Sequence, residues 1–257
     1  MIRSRQNRRL KHIRRLRRSK GGQALLDSPH LVVEAARLGL ELDELLATPE
    51  FLADPARVAL LGELPRTPTA VAEPLLRELV DVTTPPGILA TTTLERPTDL
   101  DALHDSSERL IYVDRLRDPS NLGALARAAE AAAISGLVLR SGSVHPNHPR
   151  ALRASAGSLL RLTVLVGVEP EELARSPVGR RADWLALVVT GGQALWRAEV
   201  GESWVLALGS EAGLSPEVES LATLRVTIPT AGSVESLNAT QAATVTLFEL
   251  ARRRALP

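Results

Sequence analysis

The chain of 257 residues contains no cysteine, which excludes disulfide bonds and cysteine-ligated metal sites. It has only six aromatic residues, and none of them lies among the first 20 residues. The longest apolar runs, such as residues 184–189, are much shorter than a membrane span. We also expect no secretory signal, because no apolar segment follows the N-terminal charges. These absences favour a cytoplasmic protein without a membrane anchor.

The net charge of +1 conceals a strongly basic N-terminus. Residues 1–20 contain ten of the 31 basic residues and no acidic one, so the remainder has 21 basic against 30 acidic residues. A basic arm on an acidic body is typical of proteins that bind RNA or DNA. A solvated run of charge and a membrane-surface helix are the alternatives. Since the arm lacks aromatic residues, we expect phosphate contacts rather than base stacking. The candidate RNA-binding residues here are Arg5, Arg8, Arg9, Lys11, Arg14, Arg15, Arg17 and Arg18.

The hydrophobic pattern changes along the chain. Residues 31–38 and 42–46 are helix-like, and residues 58–61 suggest a short strand. A segment rich in Pro and Thr, residues 83–98, indicates an inter-domain connection, although residues 87–90 could add a strand to the first part. From about residue 106 onward, short apolar strands alternate with helices, which predicts an α/β fold with a mostly parallel sheet covered on both faces. The predicted strands are residues 110–113, 137–139, 162–166, 185–189, 205–208 and 224–228, and the predicted helices are residues 122–133, 149–159, 170–174, 216–221 and 237–254.

Two predicted strands run directly into small and polar residues. Residues 208–214 read Leu-Gly-Ser-Glu-Ala-Gly-Leu, and residues 228–238 read Ile-Pro-Thr-Ala-Gly-Ser-Val-Glu-Ser-Leu-Asn. Ligands of open α/β sheets bind beyond the carboxyl ends of the strands, where glycines and a helix N-terminus allow close backbone approach. We therefore expect Glu211, Ser236 and Asn238 at the rim of one cavity. Alternatively, the glycines only form turns and Ser236 only caps the last helix.

A third motif follows the first predicted strand of this region. Residues 118–123 read Asp-Pro-Ser-Asn-Leu-Gly, and Arg127 lies in the helix that follows, which we expect Ser120 or Asn121 to cap. Asp118 before Pro119 suggests a cap or turn. Read as structure alone, Asn121 is a cap and Arg127 a surface charge.

Taken together, the three motifs resemble those of the SpoU-type (TrmH-like) RNA 2′-O-ribose methyltransferases of the SPOUT superfamily, in the same order. A looser similarity, in residues 4–7 and 29–35, extends to the family's L30e-like substrate-binding domain. The resemblance implies an N-terminal RNA-binding α/β domain in residues 1–95, a linker in residues 96–106 and a methyltransferase domain in residues 107–257. It also implies a C-terminal trefoil knot, S-adenosylmethionine as cofactor and a homodimer.

The resemblance assigns roles to individual residues. Positions that hold the cofactor in the family are matched by Leu208, Gly209, Gly213, Ile228 and Leu237, with Thr190 and Gly191 nearby. Positions around the reacting centre are matched by Asn121, Arg127, Glu211, Ser236 and Asn238. Arginine is a poor general base because a guanidinium group does not give up its proton in proteins, which applies to Arg127. We therefore expect it to clamp a phosphate beside the target ribose, while Glu211 either receives the proton or holds a neighbour in place.

The expected reaction is methyl transfer to a ribose 2′-hydroxyl, with 23S ribosomal RNA as the favoured substrate. The alternatives are a tRNA 2′-O-methyltransferase and an inactive RNA-binding or ribosome-assembly protein. A dinucleotide-binding oxidoreductase is disfavoured because no G-x-G-x-x-G follows the first strand of the α/β region. Residues 155–158 favour close packing, although the flanking Arg150, Arg153 and Arg161 could face RNA, and Arg153 completes the RNA-binding candidates. His145 and His148 lack the neighbours of a metal site, so we expect no metal.

Overall fold

The computed structural model describes residues 1–16, 22–103, 109–210 and 212–255. Strands form two sheets, and helices cover them. The α-helices are α1 (Arg8–Leu16), α2 (Pro29–Arg37), α3 (Pro49–Ala53), α4 (Val58–Gly62), α5 (Glu73–Arg77), α6 (Pro119–Ala131), α7 (Pro149–Ala154), α8 (Ser158–Arg161), α9 (Pro170–Arg175), α10 (Pro177–Arg181), α11 (Pro216–Leu221) and α12 (Ala239–Ala255). The strands are β1 (Gln23–Leu26), β2 (Leu42–Ala47), β3 (Thr69–Ala70), β4 (Ile88–Thr93), β5 (Arg109–Asp114), β6 (Gly136–Leu139), β7 (Thr163–Val166), β8 (Asp183–Leu187), β9 (Gln193–Ala194), β10 (Trp204–Gly209) and β11 (Leu224–Thr227).

The N-terminal sheet has four strands in the order β1-β4-β2-β3. β4 pairs antiparallel with β1 and β2, and β2 pairs parallel with β3. Alternate residues of a strand face opposite sides, so Leu25, Leu46 and Leu89 pack on one face with α1. Residues of the other face pack with α2 in a different core cluster.

The basic N-terminal segment is not a free arm. Ile2 forms a bridge with Val71, and Leu10 and Ile13 of α1 are fully buried against the sheet. The narrow apolar stripe of this helix therefore belongs to the core, whereas Arg8, Lys11 and Arg15 remain exposed. Packing one face of the helix leaves its basic face directed outward.

The C-terminal sheet has seven strands in the order β7-β6-β5-β10-β8-β11-β9, and every neighbouring pair is parallel. Both faces are covered, which confirms the predicted α/β fold with a mostly parallel sheet. One face, which includes Ile111 and Leu206, shares a core cluster with α6, α7 and α12. The opposite face, which includes Tyr112 and Val205, packs against α9, α10 and α11.

Several predicted elements are wrong, and most of them lie before residue 100. Residues 42–46, expected as helix, form strand β2, and residues 58–61, expected as strand, lie in helix α4. Residues 91–93, expected in the connection, belong to β4, which confirms and extends the strand suggested at residues 87–90. The single helix expected at residues 149–159 is broken into α7 and α8, because Gly157 adopts the left-handed conformation at φ 93°. β1, β3, β9, α10 and the short α3 and α5 were not predicted.

The two sheets share one apolar core. The same cluster contains Ala24 and Leu26 of β1 and Leu206 and Leu208 of β10. At the junction, Arg153 pairs with the buried Asp27. Arg96 donates hydrogen bonds to Asn147 Oδ1 at 2.9 Å and to the Leu159 carbonyl at 2.7 Å, and burial lowers the pKa of Arg96 to about 10. The segment expected as a linker is thus packed at Arg96 and Leu103 but exposed at residues 98, 99 and 101, and residues 104–106 lie outside the described ranges.

Candidate functional site

Helix α6 begins where the central strand β5 ends. The chain passes through Arg115 at φ 59°, and Asp118 then caps α6 by accepting hydrogen bonds from the N–H groups of Ser120 at 2.6 Å and Asn121 at 3.2 Å. These backbone hydrogen bonds, that of Asn121 first, lower the pKa of Asp118. The expectation that Ser120 or Asn121 caps α6 is therefore wrong. The cap is Asp118, for which the position before Pro119 suggested a cap or turn role. This leaves the Asn121 side chain free to contact the segment that precedes α12.

A cavity of about 470 Å³ lies beyond the carboxyl ends of β8, β10 and β11. All three strands run parallel, so the segments that follow them meet at one edge of the sheet. The lining residues include six of the seven predicted cofactor positions and three acidic or basic groups. They are Leu187, Val188, Val189, Thr190, Leu208, Gly209, Ser210, Gly213, Leu214, Glu219, Arg225, Ile228, Thr230, Glu235, Ser236, Leu237, Asn238, Ala239 and Ala242.

The loop after β10 forms a tight turn at this cavity. The Gly213 N–H donates to the Ser210 carbonyl at 2.9 Å, and Gly213 has φ 88°, a conformation that favours glycine. A Cβ on Gly209 would overlap the carbonyl carbon and oxygen of Gly213. Both glycines are thus required by the turn, and the turn forms the cavity wall. The structural and the ligand-binding interpretations are compatible at these positions.

Asn121 and Asn238 meet at the mouth of the cavity. The Asn238 Nδ2 lies 3.5 Å from Asn121 Oδ1, and the Thr240 hydroxyl donates to the Asn121 carbonyl at 3.2 Å. Asn238 Oδ1 caps α12 by accepting from the N–H groups of Thr240 and Gln241. Ser236, the alternative expected cap, is instead exposed in the cavity wall. The motif at residues 118–127 and the motif at residues 228–238, more than 100 residues apart in the sequence, therefore meet here.

The remaining predicted site residues lie in different places. Arg127 is exposed in the third turn of α6, about 9 Å along the helix axis from Asn121, and it forms no hydrogen bond or ion pair with a described residue. Gly191 adjoins Thr190 but lies outside the cavity wall. Glu211 lies outside the described residues, so its expected role stays a prediction.

A buried arginine that the sequence did not single out secures the loop after β10. Arg140, at the end of β6, contacts Asp114 at 3.2 Å, Glu169 at 2.8 Å and the Ser215 hydroxyl at 2.7 Å. Asp114 also accepts the Ser215 N–H at 2.7 Å. Burial alone lowers the pKa of Arg140, but hydrogen bonds to Glu169 and Asp114 outweigh it and raise the pKa above its ordinary value. Its partners are 26 to 75 residues distant in the sequence, so no local pattern reveals the network.

Many predicted RNA-binding residues are already paired with acids. Arg5 and Arg14 both bind Glu78, and Arg9 lies 3.5 Å from Glu44. Arg8, Lys11 and Arg15 form no ion pair with a described residue, and Arg17 and Arg18 lie outside the described ranges. Arg153 binds Asp27 at the junction of the two sheets.

The segment around residues 145–158 is structural in its main contacts. The buried Ser155 hydroxyl donates to the Leu152 carbonyl at 2.8 Å, as the packing interpretation expects. His148 caps α7, and the His145 ring accepts the Asn147 N–H at 3.1 Å. Burial and then the charges of Arg150 and Arg153 lower the pKa of His148. Among the described residues, no group of three or more His, Cys, Asp or Glu side chains is arranged to hold a metal.

The cavity has the properties of a nucleoside-binding site. Its volume lies within the roughly 300–1,000 Å³ of small-molecule pockets, and its wall combines apolar side chains with exposed turn backbone. Leu187, Leu208 and Ile228 offer an apolar surface for a flat ring. Glu219 and Glu235 add negative charge, which suits a cationic ligand, although Arg225 pairs with Glu219 at 2.9 Å. These residues fit S-adenosylmethionine.

Comparisons with known proteins agree with this geometry. Residues 108–248 match the SpoU rRNA Methylase family. The chain is 32% identical to an uncharacterized tRNA/rRNA methyltransferase of Synechocystis, over 98% of this chain and 94% of that protein. It is 34% identical to the 23S rRNA (uridine(2479)-2′-O)-methyltransferase of Streptomyces viridochromogenes, over 72% of this chain and 67% of that protein.

The fold is also similar to a solved structure over nearly the whole chain. The crystal structure of the SpoU methyltransferase AviRb from Streptomyces viridochromogenes, in complex with the cofactor AdoMet, matches with a TM-score of 0.86 and 27% identity. The match covers 98% of this chain and 99% of that one. The motifs, the cavity that they form and the matched residues lead to one conclusion: the chain belongs to the SpoU rRNA methylase family.

Proposed function

We propose that this protein transfers a methyl group from S-adenosylmethionine to a ribose 2′-hydroxyl of 23S ribosomal RNA. The observation that carries the proposal is the meeting of Asn121 and Asn238 at the mouth of the cavity that fits the cofactor. The rRNA preference is supported by the relative that methylates 23S rRNA, which is similar over more than two thirds of this chain. We also propose a cytoplasmic location, where such an enzyme would meet its rRNA substrate. No helix in the described ranges has the length and apolar composition of a membrane span.

The proposed chemistry asks the protein mainly to align two reactants. When bound, S-adenosylmethionine would supply a methyl group on a sulfonium: the S–CH3 bond would break as the 2′-O–CH3 bond forms, S-adenosylhomocysteine would leave, and the hydroxyl proton would pass to water or to a carboxylate such as that of Glu211. The cavity wall combines apolar side chains with turn backbone that can hold the cofactor, and Asn238 of this wall contacts Asn121, so polar groups meet beside the cavity. Arg127 is exposed and has no acidic partner among the described residues, which suits its guanidinium to bind the phosphate next to the target ribose.

We propose a homodimer that brings Arg127 to a second cavity. Arg127 lies on the exposed face of α6, outside the wall of the cavity in its own chain. Beside it, α12 exposes Val245 to 42% and Phe248 to 49%, which are high values for apolar side chains three residues apart on one helix face. Packing this face against a second copy would bury both side chains. Arg127 would then lie near the partner's cavity, so the dimer would complete each site.

We also propose the expected domain layout and knot. Residues 1–95 contain the smaller sheet and the basic helix α1, which suits substrate binding, and residues 107–257 contain the cavity. β10 lies between β5 and β8, both of which precede it in the chain. The segments after β8, β10 and β11 line the same cavity, an arrangement compatible with a trefoil knot at this edge.

The proposed function is tested by methyl transfer from labelled S-adenosylmethionine to separate pools of unmodified rRNA and tRNA. We expect label in 23S rRNA and not in tRNA. Arg127→Ala should reduce transfer by on the order of 10²–10³, with cofactor affinity unchanged. Arg175→Ala, an exposed arginine on α9, is the control and should keep full activity. Label in tRNA alone, or transfer that persists in Arg127→Ala, contradicts the proposal in substrate or in mechanism.

A further inference from the structure

Three exposed arginines lie beyond the carboxyl ends of β5 and β6, and of these only Arg150 was considered for RNA contact from the sequence. Arg115 and Arg117 lie between β5 and α6, and Arg150 lies in the first turn of α7. None of them forms an ion pair with a described residue. By contrast, Arg153 and Arg161, the neighbours of Arg150 expected to share its role, bind acids at the junction of the two sheets. Of Arg150, Arg153 and Arg161, only Arg150 therefore has no acidic partner among the described residues and can contact an RNA phosphate.

The two segments that carry these arginines lie side by side. The Val144 N–H donates to the Leu116 carbonyl at 2.7 Å, and the Ser143 hydroxyl donates to the Val113 carbonyl at 3.3 Å. Leu116 is fully buried, which directs its neighbours Arg115 and Arg117 outward. The stem of Arg115 lies near Gly142, at 3.8 Å from where a Cβ of that glycine would be. The loop backbone thus holds the three cations at one surface.

This surface adjoins the proposed reacting centre. Asp118, the cap of α6, binds the Asn121 N–H and is close enough to Arg150 for that arginine to lower the pKa of Asp118. Asn121 in turn contacts Asn238 at the cavity mouth. The acids that face Arg150 or His148 here are Asp118 and Asp81, and the Asp118 carboxylate is already engaged by two N–H groups. The excess charge at this edge is therefore positive.

We propose that Arg115, Arg117 and Arg150 bind phosphates of the RNA strand that flanks the target nucleotide. The proposal rests on the proposed function, since it takes the cavity mouth as the position of the target ribose. Exposed, unpaired guanidinium groups on a fixed backbone suit phosphate oxygens, which they contact bidentately. We name this set the Arg115–Arg117–Arg150 surface.

The experiment measures the affinity of a 23S rRNA transcript for the full chain over a range of salt concentrations. Each lost phosphate contact on single-stranded RNA reduces the slope of log K against log salt by about 0.7. The triple variant Arg115→Gln, Arg117→Gln, Arg150→Gln should therefore lose about 2 from the slope and bind roughly 10 to 100 times more weakly near 0.1 M salt. Cofactor affinity and the melting temperature should not change.

The control removes the same charge from the opposite face of the sheet. Arg175, Arg180 and Arg181 are exposed on α9 and α10, so changing all three to Gln should leave slope and affinity nearly as in the wild type. Equal effects of both triple variants would show a nonspecific charge effect and overturn the proposal. Loss of a dimer in the test variant without loss of RNA affinity would also overturn it, because the surface would then contact protein. If wild-type protein binds the transcript but methylates no RNA, the proposed function fails, while the salt slope still decides whether this surface binds phosphate.

Discussion

Gly209 occupies a position where the turn after β10 leaves no room for a side chain. Its missing Cβ allows the backbone of Gly213 to close the turn that forms the cavity wall. The motif made this glycine prominent, but the physical reason lies in a contact four residues away. Gly213 differs, because a Cβ there would meet nothing within 4 Å and the constraint is its φ of 88°.

Gly209→Ala should therefore weaken cofactor binding by about 5- to 150-fold, since relieving the overlap costs on the order of 1–3 kcal/mol and displaces the turn. Isothermal titration with S-adenosylmethionine measures the effect. Gly62→Ala is the control. Gly62 ends helix α4, and a Cβ there, unlike one at Gly209, meets nothing within 4 Å. Unchanged affinity in Gly209→Ala would show that the turn does not form the cofactor site.

At the residue scale, the sequence predicted which polar residues lie at the cavity, but it did not predict which basic residues remain unpaired. Asn121, Ser236 and Asn238 belong to motifs, and the structure brings Asn121 to Asn238 and places Ser236 and Asn238 in one wall. The charge run at residues 1–20 suggested a free basic arm, but burial of Leu10 and Ile13 cannot be inferred without knowing the sheet beneath them. Whether an arginine is paired is equally a property of the fold.

At the scale of elements, residues at the ends of β5 and β6 hold the loop after β10 in place through hydrogen bonds. Asp114 at the end of β5 accepts the Ser215 N–H, and Arg140 at the end of β6 contacts both Asp114 and Ser215. Leu214, which precedes Ser215, lines the cavity. A buried charge that loses its partner is strongly unfavourable, so this network should fix the position of the loop.

Asp114→Asn should lower the free energy of unfolding by about 1.5–3 kcal/mol and also weaken cofactor binding, because it removes a charged acceptor from both Arg140 and Ser215. Urea unfolding and titration with the cofactor measure the two effects. Asp183→Asn provides the comparison: Asp183 accepts the Gly201 N–H at 2.9 Å at the opposite end of the sheet. The account is contradicted if the two variants bind the cofactor equally well.

The prediction of strands and helices succeeded in the parallel sheet, because strands that are buried on both faces appear in the sequence as continuous apolar runs. The strands of the parallel sheet are short apolar runs, and their helices are separated by turn residues. In the first 100 residues, Leu42–Ala47 contains two acidic residues and resembles a short amphipathic helix, yet it pairs with β4 as a strand. Residues 58–61 are apolar but form part of α4, which has no fully buried residue. Such short segments are decided by tertiary pairing.

At the scale of the whole molecule, side chains from both sheets pack in one hydrophobic core. Ala24 and Leu206, one from each sheet, belong to the same cluster, and the Asp27–Arg153 pair lies between the sheets. We therefore expect both parts to unfold in one transition. The three tryptophans, Trp184, Trp196 and Trp204, all follow residue 107, so their fluorescence reports the larger part alone, whereas circular dichroism reports both. Separate midpoints in urea would contradict a common unfolding unit.

The overall architecture was predictable as a class, and the family resemblance implied a homodimer, but the sequence did not indicate which face a second copy would cover. Alternating strands and helices indicated the parallel sheet, whereas the exposure of Val245 and Phe248 beside Arg127 is visible only after α6 and α12 are packed. If that face forms the proposed homodimer, Phe248→Glu should convert the protein to a monomer in analytical ultracentrifugation. The same variant should lose methyl transfer but retain cofactor binding. A fully active monomer would show that each chain has a complete site.

The most direct test of the central claim maps the methylated position in 23S rRNA after reaction with the wild-type protein and S-adenosylmethionine. A 2′-O-methyl group blocks alkaline cleavage of the adjacent phosphodiester bond, because that cleavage requires a free 2′-hydroxyl. We expect one new alkali-resistant position that is absent with Arg127→Ala. Methylation that leaves the alkaline ladder unchanged would place the methyl group on a base and contradict the account.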